Sequence, residues 1–183
     1  MLKDQKELLS GFNAHDVEYL IVGGHAVNAH GVPRTTKDLD VFVRPEQRNS
    51  EKVFAALASF GAPLTGITEA DFRDNPEQVF QIGVEPSRVD LLQDIGGVAF
   101  EDAWKNRVVG RIDNDITAPF ISREDLILSK QNVGRARDLA DVEELREVER
   151  VRAASRPTTG MGTIEIIGAP AEAFREKAED GAE

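Results

Sequence analysis

A chain of 183 residues with 40% hydrophobic content is long enough for one domain with a sizeable core, and it carries no apolar run near the roughly 18–20 residues that cross a bilayer. The net charge of −11, without any Lys/Arg-rich block, argues against an extended duplex nucleic-acid partner, because phosphate neutralisation supplies most non-specific affinity. With no cysteine, disulfides, zinc-thiolate sites and thiol nucleophiles are excluded; the start MLKDQKELLSGF, acidic early and without a signal-type apolar core, predicts a cytoplasmic protein with no membrane partner.

Residues 2–14 place Leu2, Leu8, Leu9 and Phe12 near one stripe of a helix. Tyr19 to Val22 is a short apolar run stopped by Gly23-Gly24 and predicts a buried strand. A short helix over 25–30, closed by Gly31 and Pro33, leads to a second strand over 39–43. Residues 46–60 predict a helix with Val53, Phe54, Leu57 and Phe60 on one face and Gly61 at its stop. The polar stretch 62–78 predicts a loop with at most a short helix near 69–73. Strands over 79–84 and 88–92, joined by Glu85-Pro86-Ser87, and a helix over 100–106 follow. A hairpin over 108–112 and 115–121 precedes two helices, 123–133 and 135–152, separated by Gly134. Ser122 is a suitable N-cap, with Asp125 three residues on. Residues 1–155 thus form the domain. Residues 156–183, rich in Gly, Ala, Pro, Thr and Glu, predict a tail that is disordered or an edge strand plus a short helix.

Three features stand in order along this string. A strand ends in Gly23-Gly24; Asp38-Leu39-Asp40 leads into the second strand; Asp90 lies alone inside a later apolar strand. Strand residues alternate faces, so Asp38 and Asp40 share one face while Leu39 points into the core. Two such carboxylates resist joint ionisation unless a cation sits between them, and Asp90 is costly to bury unless it too reaches a metal or a donor. Oxygen ligands without His or Cys suit Mg²⁺ or Mn²⁺, and Mg²⁺ habitually binds through a few carboxylates plus substrate phosphates. The double glycine lets a phosphate chain approach the backbone at the start of a helix. Arg34, Lys37, Lys130, Arg135 and Arg137 are the candidates for a local basic pocket.

Gly23-Gly24, Asp38-x-Asp40 and Asp90, in this order, resemble the nucleotidyltransferase superfamily with its DNA polymerase β-like fold. The stretches IVGGHAVNAHGVPRTTKDLDVFV and DLILSKQNVGRARDLADVEEL resemble small bacterial nucleotidyltransferase-like proteins related to AbiEii-type toxins, over about residues 5–150. The resemblance implies an α+β fold, a mixed central sheet flanked by helices with a C-terminal helical segment. It implies transfer of a nucleoside monophosphate from an NTP to an acceptor hydroxyl, with pyrophosphate released. Asp38 and Asp40 would hold both metal ions, and Asp90 the catalytic one while helping to deprotonate the acceptor. Gly23 and Gly24 would cradle the β,γ-phosphates, Lys130 would reach the triphosphate, and Arg34 and Lys37 would hold the acceptor or the pyrophosphate. ATP is among the NTPs such a site accepts. The acceptor could be a tRNA or a protein, for a toxin with an antitoxin partner. It could instead be an aminoglycoside- or lincosamide-type antibiotic, or the chain could be a non-catalytic nucleotide-binding member of a toxin–antitoxin pair.

Simpler readings stand beside these. Asp38 and Asp40 could be a solvated strand end, Gly23-Gly24 a helix-start turn, and Asp90 a strand residue paired with Arg88 or Arg107. Lys130 could be an ion-pair partner, His25 and His30 structural or capping residues, and Trp104 a helix-to-sheet contact.

Overall fold

Each strand of the chain is short and each helix carries one apolar stripe, so neither can bury its hydrophobic surface alone. The structure, a computed structural model, describes residues 1–113, 116–154 and 165–166. In chain order the elements are α1 (Lys3–Ala14), β1 (Tyr19–Ile21), α2 (Gly23–Ala29), β2 (Leu39–Val43), α3 (Gln47–Phe60), α4 (Asp71–Asp74), β3 (Phe80–Ile82), β4 (Val89–Leu92), α5 (Phe100–Asn106), β5 (Val108–Asp113), β6 (Ile116–Phe120), α6 (Arg123–Val133), α7 (Ala136–Ala154) and β7 (Glu165–Ile166). The strands form one mixed sheet in the order β3-β4-β2-β1-β6-β5-β7. The α+β expectation holds.

Central position explains the run of Tyr19, Leu20 and Ile21, all buried: β1 lies between β2, antiparallel, and β6, parallel. On its far side β2 pairs in parallel with β4, and β3 closes that edge antiparallel to β4. The hairpin of β5 and β6 extends the other side. Leu8, Leu9 and Phe12 of α1 and Val53, Ala56 and Leu57 of α3 supply buried stripes, and the two helices pack on each other. Helix α6 packs on α7 and α2. Its first turn is capped as expected, Ser122 accepting from the Asp125 N–H while its hydroxyl donates to the Asp125 carboxylate at 2.8 Å. Gly61 and Gly134, both at positive φ, end α3 and α6.

Two boundaries differ from the sequence expectation. Helix α2 begins at Gly23 rather than at residue 25, so β1 turns into it through Val22 alone. Strands β3 and β4 are shorter than predicted, because the chain leaves the ladder at Gly83, whose φ is +77°, and rejoins it at Val89. Of the tail, Glu165–Ile166 pairs with β5 as an edge strand; the remaining tail expectations lie outside the described residues. Among the described residues no helix is long and apolar enough to cross a membrane.

One buried amide ties β1 to β2. The Asn49 side chain, on α3, accepts from the Glu18 N–H at 2.8 Å and donates to the carbonyls of Glu18 and Arg44 at 3.0 and 3.1 Å. These carbonyls lie just before β1 and just after β2. Asn49→Ala strands the Glu18 N–H, while the two carbonyls keep the Arg44 and Glu46 N–H groups at 3.1 and 2.9 Å, with an expected loss of about 1–3 kcal/mol in urea unfolding. A loss within the error of the measurement would assign the link to other contacts.

Candidate active site

The site begins with register. Asp40 of β2 stands opposite Asp90 of β4 in a parallel ladder, so both side chains leave the same face. Leu39, between Asp38 and Asp40, is fully buried, and Asp38 sits one residue before β2 on Asp40's side. Farther along that face Phe42 meets Phe100 of α5 with ring centroids 5.0 Å apart. The expected convergence of Asp38, Asp40 and Asp90 on one side of the sheet is therefore present.

The double glycine touches this cluster directly. Gly23 has φ +57°, and a Cβ there would stand 1.9 Å from Asp40 Oδ2. A Cβ at Gly24 would stand 2.6 Å from the Thr36 hydroxyl. The Gly24 N–H donates to the Asp40 carboxylate. Absence of side chains at 23 and 24 thus seats Asp40 against the start of α2 and lets the loop before β2 lie close.

Cations surround the carboxylates unequally. The Arg88 guanidinium donates to Asp38 Oδ2 at 2.7 Å and lies 3.2 Å from Asp90 Oδ1 through Nε. The Arg88 carbonyl accepts from the Leu39 N–H at 3.0 Å and from Gln5 Nε2 at 3.3 Å. Gln5, fully buried on α1, also donates to the Lys37 carbonyl at 2.7 Å and so clamps the chain just ahead of Asp38 and Asp90. Lys130 is buried and donates to Asp138 and Asp141 at 2.9 and 2.7 Å. Arg34 joins the same Asp141 oxygen at 2.5 Å. Lys37 lies apart from this group, exposed, 3.8 Å from Glu85. Of the residues named from sequence, the structure gathers Gly23, Gly24, Asp38, Asp40 and Asp90. It holds Lys130 and Arg34 in a neighbouring ion network and leaves Lys37 at the surface. Arg88 entered the sequence reading only as a salt-bridge partner for Asp90, a role the structure bears out; Arg107 instead stacks over Trp104 at 3.9 Å. Gln5 carried no sequence signal beyond its place on an amphipathic helix.

Crowded charge shows in the titration of the site. Burial pushes Asp40 up to about 6, with the charges of Asp90 and Asp38 adding to the rise, and the Gly24 N–H and Lys130 opposing it. Burial also raises Asp90, while Arg88 pulls it down. Asp38 Oδ1 is buried without a hydrogen-bond partner among the described residues. No three His, Cys, Asp or Glu side chains among the described residues already surround one point. The donor set nevertheless fits a hard divalent cation: three carboxylates on one face, Asp38 Oδ1 and Asp90 Oδ1 buried without a hydrogen bond among the described residues, and two carboxyls whose ionisation burial resists. Those three residues would hold it.

The histidines take separate places. His30 Nε2 lies 2.8 Å from the Ile121 carbonyl, linking the end of α2 to the start of α6. His25 is buried with Nε2 unpartnered among the described residues, and burial, followed by the positive N-terminal amino group, lowers it to about 4.

A central sheet carrying paired aspartates beside a glycine-started helix defines the nucleotidyltransferase class of fold. Residues 1–152 match the family described as "Nucleotidyltransferase of unknown function (DUF6036)", and the chain belongs to that family. Among solved structures it is similar to the lincosamide antibiotic adenylyltransferase LnuA, bound to lincomycin. The TM-score is 0.51 at 17% identity, covering 81% of this chain and 98% of that one. It is also similar to the antibiotic-resistance factor ANT(2'')-Ia, with a TM-score of 0.48 at 17% identity over 81% of this chain and 86% of the other. An antigenic nucleotidyltransferase-like protein from Paracoccidioides brasiliensis gives 0.49 at 15% identity over 81% and 77%. No curated protein matches. The family makes the chain an enzyme of the nucleotidyltransferase class.

Two measurements probe this geometry. Gly23→Ala adds a left-handed non-glycine residue and drives a methyl into Asp40, whereas Gly61→Ala, at φ +84° with open space around it, adds the backbone cost alone. Gly61→Ala is expected to lose about 1–2 kcal/mol and Gly23→Ala clearly more; equal losses would mean that Asp40 yields freely. For His25 the folded pKa of about 4 lies below the ordinary 6.5. Stability from the neutral ring is then fully present above pH 6.5 and is lost as pH falls toward 4. Between pH 7.5 and 5.0, metal-free protein is expected to lose about 2 kcal/mol more in urea unfolding than His25→Gln does. Parallel losses in the two proteins would place His25 in contact with water.

Proposed function

We propose that the chain moves a nucleoside monophosphate from an NTP to an acceptor hydroxyl, with Mg²⁺ or Mn²⁺ held by Asp38, Asp40 and Asp90. The observation that carries this reading is the in-register pair Asp40 and Asp90, with Asp40 seated against the glycine start of α2. The acceptor oxygen bonds to the α-phosphorus as the bond from that phosphorus to the β-phosphate bridging oxygen breaks, and pyrophosphate leaves. Bound cations would supply Lewis-acid stabilisation of the attacking and leaving oxygens. Asp90, raised by burial, is suited to take the acceptor proton. Gly23 and Gly24 leave the backbone open for the phosphate chain. Lys130 is committed to Asp138 and Asp141 and acts on the site through its charge; contact with a phosphate requires its release from both. Lys37 holds Glu85 only at an exposed 3.8 Å, an ion pair weak enough to yield to an acceptor or to pyrophosphate.

For the acceptor, the sequence resemblance to AbiEii-type toxins supports a tRNA or protein hydroxyl and an antitoxin partner. A second reading, a cationic antibiotic of the aminoglycoside or lincosamide kind, is favoured by the net charge of −11, which attracts a cation at long range and repels a polyanion. The lincomycin-bound LnuA, which shares the fold at full length, is consistent with it. Cytoplasmic location follows from either acceptor, both of which are met there.

Purified protein with each α-labelled NTP, Mg²⁺ or Mn²⁺, and total tRNA, cell lysate or an antibiotic panel decides between them. Label transfer is expected to one class only, and to fall by about a hundredfold or more in Asp38→Asn and Asp90→Asn, the loss of several kcal/mol of charge stabilisation. Label on drug and none on RNA or protein would sink the toxin reading; label on no acceptor would sink the transfer itself.

A further inference from the structure

Two of the three site carboxylates are already occupied by a cation that belongs to the chain. Arg88 stands two residues before Asp90, so its side chain leaves the strand on the same face. It bridges sideways, donating to Asp38 Oδ2 at 2.7 Å and reaching Asp90 Oδ1 at 3.2 Å. Its backbone is held by Leu39 and Gln5 through the same carbonyl, which fixes the origin of the side chain independently of what the guanidinium contacts. The Arg88 side chain is 30% exposed, although its Nε is buried, whereas the Asp90 side chain is 12% exposed, so a swing away from the carboxylates opens outward to solvent. Asp40 is outside this bridge and takes the Gly24 N–H instead. No three such ligands surround a point among the described residues, which is the geometry expected when a guanidinium, and not a metal, organises two of them.

We propose that Arg88 is the resident counter-cation of the carboxylate site, that a divalent cation binds by displacing it, and that the freed guanidinium then takes the phosphates of the incoming nucleotide. This rests on the metal-site reading above. A cation using Asp38 and Asp90 must take the oxygens Arg88 holds or crowd a positive charge against it, so the bare metal binds against competition. A guanidinium released toward solvent presents a planar fork of donors that matches phosphate oxygens. Metal and nucleotide therefore bind cooperatively: the metal frees the arginine, and the triphosphate gives it a new partner.

The test is Mn²⁺ binding to the full chain, read by the loss of the free-ion paramagnetic resonance signal, with and without a non-hydrolysable ATP analogue. Asp40→Asn, expected to abolish high-affinity binding, confirms which site is titrated. Wild type is expected to bind Mn²⁺ weakly alone and about tenfold more tightly with the analogue, a coupling of ordinary size. Arg88→Met is expected to bind Mn²⁺ alone about tenfold more tightly than wild type and to lose most of the coupling. Its metal-free melting temperature is expected to fall and to be restored by Mn²⁺. Arg88→Lys, which keeps the charge without the fork, is expected to fall between the two and serves where Arg88→Met does not fold. Equal or weaker Mn²⁺ binding by the variants would overturn the displacement, leaving Arg88 a support for the ligands. Absence of Mn²⁺ binding in wild type and variants alike, with and without the analogue, would overturn the metal site and the inference together.

Discussion

Parallel pairing of β2 with β4 sets two carboxylates side by side on one face of a sheet, and the surrounding structure is arranged to bear that cost. Burial raises the pKa of both carboxylates, the charges of Asp90 and Asp38 add to the rise at Asp40, and that of Asp38 adds to it at Asp90. Compensation arrives from three directions. A helix N–H and a glycine without a side chain receive Asp40, a guanidinium receives Asp38 and Asp90, and an ammonium behind them contributes field without contact. A site balanced in this way tolerates carboxylates in the absence of metal and still leaves an oxygen, Asp38 Oδ1, with nothing to accept from.

The loop that delivers Asp38 is held at both ends. Asn28 of α2 pairs with the backbone of Arg34 through both its amide groups, at 2.6 and 3.0 Å. The Arg34 side chain crosses to Asp141 of α7, which also holds Lys130 of α6. Gln5 closes the other end at the Lys37 carbonyl. Burying such an ion network contributes little net stability, because desolvation offsets most of the attraction. Its value here is geometric: it joins the C-terminal helices to the strand that carries the aspartates, so α6 and α7 belong to the site although their charged groups neutralise one another.

Periodicity made most of the fold legible. The strand at 19–22, the stripes of α1 and α3, the Ser122 cap and the glycine stops are all local patterns whose physics acts within a few residues. The aspartates were legible for a related reason: a charge inside an apolar strand is costly, and so it signals a site. Gln5, Asn49 and Arg88 were opaque as site or framework residues because their roles are long-range. Gln5 acts on a carbonyl 83 residues away and Arg88 on a carboxylate 50 away, and no spacing rule links such pairs. The partners of Lys130 were opaque for the same reason. They lie 8 and 11 residues ahead, beyond a helix stop, where helical i,i+4 reasoning does not extend.

Charge accounting also bears on how an anionic substrate could reach this site at all. A body of net charge −11 repels a nucleoside triphosphate at long range, so attraction must be assembled locally. Lys130 and Arg34 cannot supply it, since Asp138 and Asp141 cancel them at contact distance. Arg88 is spent on Asp38 and Asp90. Lys37 and Arg137, whose guanidinium reaches the Thr35 carbonyl at 3.5 Å, are further cations near the loop, and both are exposed and screened. On the proposed reading, the charge that admits the nucleotide therefore arrives with it, as metal bound to its phosphates. The same carboxylates that make the empty site repulsive to a free triphosphate make it attractive to the metal complex, which selects the reactive form of the substrate before any chemistry begins.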